Sequence, residues 1–291
     1  MPVTIHLGAH KTATTHLQTS LRQALPHLLA AGVWYADMMQ MRAGHFPVQS
    51  ALGDRPRRVV PPRVMQTLDR AADIWPELLL SDENILGGTR SERLMGRDGR
   101  LYPLADDRMA RLARLLRHRP MRLFLSVREP ADFLASAFAM QVAAGTALEP
   151  AAFLRGVVPE MLSWSDLAAR LLAVPGVTGL TVWRYEDYRR LRPALLARLL
   201  PAEAAARVGD PPAVNLGLSQ QAYDAFCERA MADADADLRD LVARARRQFP
   251  RKPGAPGVRI FDDAARARSA VAHAADLARL AALPGADILQ P

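Results

Sequence analysis

The first thirty residues constrain the fold most, because they hold a strand, a tight polar turn and a helix in immediate succession. Val3-Thr4-Ile5-His6-Leu7 is a β-rich run that stops at Gly8, and Leu17, Leu21, Leu25 and Leu28 then recur at helical spacing over about 14–31. Pro26 predicts a kink or an early end within that stretch. The alternation continues. Glu77–Ser81, Met121–Val127 and Gly179–Tyr185 read as buried strands. Helices are predicted over about 63–73 and 105–118, from Pro130 onward, and over 149–156, 162–173 and 189–200. Residues 36–62 carry Gly44, Gly53, Pro47, Pro56, Pro61 and Pro62 and read as irregular, as does the glycine-bearing loop 87–99. From Ser219 the pattern is helical almost to the end, broken at Pro250–Gly257. Strands alternating with helices predict an α/β fold with a mostly parallel central sheet and helices on both faces. One domain is expected over 1–291, with a core at about 1–220 and a helical C-terminal region at about 219–291.

With 291 residues, half of them hydrophobic, the chain can bury such a core. Its net charge of +8 suits an anionic ligand without choosing which. Arg108, Arg111, Arg114 and Arg117 recur every three residues and are expected to form a solvated helix face, with an acceptor or nucleic-acid patch as the alternative. Zinc-finger spacing and RNA-binding aromatic signatures are absent, which argues against a nucleic-acid partner. Cys227 is the only cysteine, so neither an internal disulfide nor a thiolate cluster is possible. The start lacks a basic segment followed by an apolar run, and no uninterrupted apolar stretch is long enough to span a bilayer; a cytoplasmic protein is expected. Oligomeric state has no signature here.

Ligands of open α/β sheets bind beyond the carboxyl ends of the strands. The residues there are Gly8-Ala9-His10-Lys11-Thr12-Ala13-Thr14-Thr15. A strand-to-helix turn aims backbone N–H groups and the helix dipole at one point, which makes an anion site. Lys11 adds a full charge, Thr12, Thr14 and Thr15 add hydroxyl donors, and small Ala13 permits close approach. The segment departs from the Walker A pattern G-x-x-x-x-G-K-[ST], because Lys11 follows Gly8 by three residues with no second glycine between. A transferred group with a single negative charge would need only a lysine with neutral donors and no metal, unlike γ-phosphoryl transfer with its Mg²⁺.

The run His6-Leu7-Gly8-Ala9-His10-Lys11-Thr12-Ala13-Thr14-Thr15-His16-Leu17-Gln18 resembles the 5′-phosphosulfate loop of sulfotransferases that use PAPS (3′-phosphoadenosine 5′-phosphosulfate), roughly K-T-G-T-T-x-L. Ala13 stands where the family has glycine, which matters if φ is positive there. Leu125-Ser126-Val127-Arg128-Glu129-Pro130, with Ser136 eight residues after Arg128, is similar to the family's strand-Arg-Pro-helix-Ser segment. The resemblance implies a P-loop-type fold and a PAPS site made of His10, Lys11, Thr12, Ala13, Thr14 and Thr15 on the 5′ side. Arg128 and Ser136 would hold the 3′-phosphate, and PAP would be the product. An arginine fork suits that phosphate. Trp183-Arg184-Tyr185-Glu186-Asp187 resembles a later family strand, with Glu186 expected to anchor nearby backbone, and Asn215–Ser219 reads as a helix cap. Arg251-Lys252-Pro253-Gly254-x-x-Gly257 resembles the R-K-G-x-x-G loop that closes over PAPS in cytosolic members, but Pro253 breaks the pattern and a basic proline-glycine linker is the other reading.

Sulfuryl transfer to a hydroxyl or amine requires a cation at the leaving oxygen and a base at the acceptor. Lys11 is the expected cation. Glu83, just past the strand ending at Ser81, is the first choice of base, and the resemblance supports it because several carbohydrate sulfotransferases use a glutamate after this strand. His45 is second, because small-molecule members use a histidine. His10 and His16 are expected to contact phosphate or to pack. The acceptor pocket is expected to be formed by 36–62, 83–100 and the C-terminal helices, and the acceptor itself is open among carbohydrate, lipid, small metabolite and protein. A P-loop small-molecule kinase and a non-catalytic nucleotide-binding protein are the competing expectations.

Overall fold

In a computed structural model, β1 (Val3–His6) is the strand around which the others are arranged. The structure describes residues 2–42, 46–53, 62–146, 149–212, 217–233, 235–252 and 254–291. Among these, β1, β2 (Val33–Asp37), β3 (Glu77–Ser81), β4 (Met121–Val127), β5 (Val177–Arg184) and β6 (Ala286–Ile288) form one sheet in the order β2-β3-β1-β4-β5-β6. Every pairing is parallel.

Side chains alternate across this sheet with the period of two that a strand imposes. Val3, Ile5, Leu78, Leu80, Leu123, Leu125, Leu180 and Val182 enter the larger core, which the helices Pro62–Ile74, Ala105–Leu115, Pro130–Ala143, Trp164–Leu172 and Asp263–Ala281 cover. Leu79, Phe124 and Trp183 enter the smaller core, beneath the helices Thr14–Gln23, Leu25–Ala30 and Tyr188–Leu199. The chain therefore leaves β1 toward one face and leaves β3 and β4 toward the other. Such a reversal opens a crevice at the carboxyl ends of adjacent strands, where α/β sheets bind ligands.

The central strands and most helices lie where the sequence places them. Two edge strands, β2 and β6, go beyond the expectation: β2 falls partly in the stretch read as irregular, and β6 is three residues long after a helix read as running nearly to the end. The predicted helix over 14–31 is two helices, Thr14–Gln23 and Leu25–Ala30, with Pro26 in the first turn of the second. Arg108 corrects the expectation of a solvated arginine face. It is 5% exposed and its guanidinium donates to the carbonyls of Leu52, Asn84 and Ile85, whereas Arg114 and Arg117 are exposed. Among the described residues, no helix is long and apolar enough to cross a membrane.

The last long helix is bound to the sheet's carboxyl edge. Asp276, 1% exposed, accepts hydrogen bonds from the Trp164 and Ser165 N–H groups and from the hydroxyls of Ser163 and Ser165. It thereby satisfies the orphan donors that open the helix Trp164–Leu172. Ser269 donates to the carboxylate of Glu129, the residue after Arg128.

Candidate functional site

The loop after β1 does not leave the sheet at once. Gly8 N–H donates to Phe124 O and Ala9 N–H to Ser126 O, each at 3.3 Å, so the loop keeps step with β4 beyond the last paired residue of β1. Lys11 and Arg128 each lie two residues past the Ala9–Ser126 contact. They meet there: Arg128 Nη1 donates to the Lys11 carbonyl at 2.8 Å. Three residues of the turn have positive φ, Gly8 at 47°, Lys11 at 65° and Ala13 at 63°. Gly8 is also required for space, since a Cβ there would stand 2.2 Å from Thr14 Cγ2. Ala13 holds a left-handed conformation that costs an L-residue about 1–2 kcal/mol. It is the N-cap of the helix Thr14–Gln23, makes no side-chain cap, and is followed by no acidic residue in the first turn. The positive end of that helix is left to whatever anion the turn receives.

The hydroxyls of the turn divide by role. Thr12, 2% exposed, donates to Ala9 O at 2.6 Å and so braces the loop. Thr14 is buried and Thr15 half-buried in the first turn of the helix. His10 is 3% exposed; its N–H donates to the Tyr102 hydroxyl, and its Nδ1 and Nε2 lie 3.0 Å from Tyr102 Oη and Asn84 Oδ1. The imidazole is thus engaged on both nitrogens, and burial lowers its pKa. It holds the loop to the neighbouring elements. His16 is similarly engaged, with Tyr188 Oη and the Pro211 carbonyl.

Positive charge converges on Lys11. Burial lowers its pKa first, and the charges of Arg128, Arg251 and Arg246 lower it further. The Arg128 guanidinium also lies 4.6 Å from the centre of the Tyr185 ring, and its carbonyl accepts from Trp164 Nε1 at 2.8 Å. Glu186, in the turn after β5, accepts the Glu129 N–H at 2.9 Å, the backbone-anchoring role expected of it. Arg251, whose Nε donates to Ala255 O, has its pKa lowered by burial and then by Arg128, which brings the C-terminal segment to the same place. Arg246 was not foreseen; it comes from the amphipathic helix Leu238–Gln248, and its spacing carries no motif. Ser136 is half-buried on the helix Pro130–Ala143, one helical turn beyond Asp132 on the same side, and Asp132 in turn lies within reach of the Arg251 charge.

Opposite the cations stands the turn after β3. Glu83 is 8% exposed and Asp82 is fully buried. Arg42 Nη2 bridges them, 2.6 Å from Asp82 Oδ1 and 2.8 Å from Glu83 Oε1, and Gln18 Nε2 donates to Glu83 Oε2 at 3.2 Å. Burial alone would raise the Glu83 pKa, but His10 and Arg42 outweigh it and hold the carboxyl below its ordinary value. With the His10 cation disfavoured by its own burial, Arg42 is the charge that counts near neutral pH. The Asp82 pKa is pushed up by burial against the pull of Arg42. Two adjacent carboxyls are thus driven in opposite directions, an arrangement that separates proton-accepting roles. Lys11 feels the Glu83 charge as well, so the carboxylate and the ammonium lie within electrostatic reach of each other. His45 lies outside the described residues.

No family model matches the chain, and no curated protein matches it in sequence. Among solved structures, the chain is similar to a sulfotransferase from Alicyclobacillus acidocaldarius, with 15% identity and a TM-score of 0.44 over 99% of this chain and 97% of that one. It is also similar to a retinol dehydratase solved in complex with androsterone and the inactive cofactor PAP, with 13% identity and a TM-score of 0.33 over 100% of this chain and 82% of that one. At such identities and scores, the chemistry has to be read from this chain's own side chains.

Proposed function

We propose that this protein is a PAPS-dependent sulfotransferase that moves a sulfuryl group to a hydroxyl or amine of an acceptor and releases PAP. The observation that carries the proposal is the 2.8 Å bond from the Arg128 guanidinium to the Lys11 main-chain carbonyl, with the charges of Arg128, Arg251 and Arg246 all bearing on the Lys11 ammonium. Like charges gathered beside an uncapped helix N-terminus repel one another unless a polyanion sits among them. A nucleotide with phosphate groups at both ends fits this set of donors. The turn Lys11–Thr15 would hold its 5′ side, and Arg128 and Ser136 its 3′-phosphate, with Arg251 supporting.

PAPS supplies a sulfuryl group joined to a phosphate that leaves readily. Lys11 is placed to hold the negative charge that gathers on the bridging oxygen as its bond to sulfur breaks. Glu83, ionised near neutral pH, accepts the acceptor's proton as the new bond to sulfur forms. Arg42 and Gln18 orient that carboxylate, and His10 and Thr12 keep the turn in its strained shape.

The test is transfer of radiolabelled sulfuryl from PAPS to a panel of phenols, amines, sugars and glycolipids. Glu83→Gln should lower turnover by about 10²–10⁴-fold while PAP still binds. Lys11→Ala should lower turnover and weaken PAP binding to a smaller degree. Unaltered turnover in Glu83→Gln would remove it as the base. Magnesium-dependent ATP binding without PAP binding would replace the proposal with a small-molecule kinase.

A further inference from the structure

Arg42 is shared by two carboxylates, and a second buried network decides how. Asp82 Oδ2 accepts from Gln49 Nε2 at 2.8 Å, and Asp82 Oδ1 accepts from the Asn84 N–H at 2.9 Å. The Oε1 of the same Gln49 accepts from Arg108 Nη2 at 2.9 Å. Since an arginine only donates, Gln49 must turn its oxygen to Arg108, and its NH₂ is left facing Asp82. Arg108 is itself immobilised by Leu52 O, Asn84 O and Ile85 O, so it grips both the helical turn that carries Gln49 and the turn that carries Glu83.

We propose that Gln49, oriented by Arg108, is a positioning residue that sets how Arg42 is divided between Asp82 and Glu83, and so how readily Glu83 takes a proton. The inference rests on Glu83 being the base, and it adds two residues, Gln49 and Arg108, that act on it through Asp82 and Arg42. The physical basis is competition for one guanidinium. Gln49 and the Asn84 N–H stabilise the charged form of a fully buried Asp82, and a charged Asp82 keeps part of Arg42 from Glu83. Without the Gln49 donor, Asp82 protonates more readily, Arg42 turns to Glu83 alone, and Glu83 becomes a weaker base. The other groups that bear on Glu83 are His6 from β1, His10 and Lys11 from the loop, Gln18 from the helix Thr14–Gln23, Tyr35 from β2, and Tyr102. Among the described residues, the Gln49 side chain hydrogen-bonds Asp82 and Arg108 and none of these groups, so the substitution acts through Asp82 and Arg42.

The experiment is a titration of the side-chain carboxyls by ¹³C NMR on the full-length, nucleotide-free protein, with Glu83→Gln and Asp82→Asn assigning the two signals. In Gln49→Met the Glu83 midpoint should fall by about one pH unit, a roughly tenfold loss of proton affinity, while the Asp82 midpoint rises. Gln49→Asn, too short to span Arg108 and Asp82, should do the same. Unchanged midpoints in either folded variant would overturn the proposal, as would an upward shift of Glu83. Unfolding of both variants would assign Gln49 a purely structural role and overturn it equally. Because the readout needs no acceptor, it stands apart from turnover in Glu83→Gln, which tests the base assignment itself.

Discussion

Arg128 donates to the carbonyl oxygen of Lys11 across 117 residues of sequence, and this bond joins the carboxyl ends of β1 and β4 at one point. The contact follows from register. The loop after β1 continues to bond along β4 as far as Ser126, so the lysine of one turn and the arginine of the other arrive together. The N-terminus of the helix Thr14–Gln23, the lysine and the arginine are thereby brought together at the ends of these two strands.

Ala13 is strained because the turn requires a left-handed residue at the helix N-cap, with φ at 63°. Ala13→Gly should relieve about 1–2 kcal/mol of strain and give back about half of it through the more flexible unfolded chain. A rise in melting temperature of about 2 °C by calorimetry is expected. Ala13→Val should lower it. An unchanged melting temperature in Ala13→Gly would mean that the surrounding loop absorbs the strain.

Asp276 ties the C-terminal helix to the segment beneath Arg128. Burial alone would raise its pKa, but the hydrogen bonds from Ser165, Ser163 and the Trp164 and Ser165 N–H groups win and hold it low. A carboxylate with a depressed folded pKa stabilises above its unfolded pKa and loses that contribution as the pH falls through the folded value. Asp276→Ala should therefore cost about 2–3 kcal/mol in denaturant unfolding at pH 7. The difference from the parent should shrink in acid.

His6 gives the opposite chemistry with the same direction in pH. It is 1% exposed, stacks on Trp183 with ring centres 5.9 Å apart, and has Nδ1 at 2.7 Å from Ser81 Oγ. Burial lowers its pKa from 6.5 to about 4. The neutral ring thus stabilises the fold fully above about 6.5, and this is lost as the pH falls toward 4. Between pH 7 and 4.5, His6→Gln should lose about 2 kcal/mol less stability than the parent. An identical loss in both would locate the acid sensitivity elsewhere.

The parts of this architecture legible in the sequence are those set by local chemistry. β3 and β4 are readable to their end residues because burial on both faces gives each a central apolar run, Leu78–Leu80 and Leu123–Leu125, and Ser219 reads as the N-cap of the helix Gln220–Ala232. β2 and β6 are not, because they are short edge strands whose partners, rather than their own patterns, make them strands. Within the site, the Lys11 turn, Arg128 and Glu83 follow from motif and strand-end position. Arg42, Gln49 and Arg108 do not. Their role depends on long-range contacts through buried carbonyls and carboxylates, and only the adjacent Asp82-Glu83 pair at a strand end hinted that cations would be drawn there. Arg108 misled for the same reason: a three-residue repeat places it on a helix face without revealing that the face is covered.

The most direct test of the central claim is calorimetric titration of PAP and of 5′-AMP, which lacks the 3′-phosphate, into the parent and Arg128→Met without added metal. The parent should bind PAP at least tenfold more tightly than 5′-AMP, and Arg128→Met should erase most of that preference while leaving 5′-AMP binding nearly unchanged, as the loss of a charge-assisted fork to one phosphate requires. Equal weakening of both nucleotides by Arg128→Met, or no binding of PAP by the parent, would contradict the assignment of Lys11 and Arg128 to the two ends of one nucleotide.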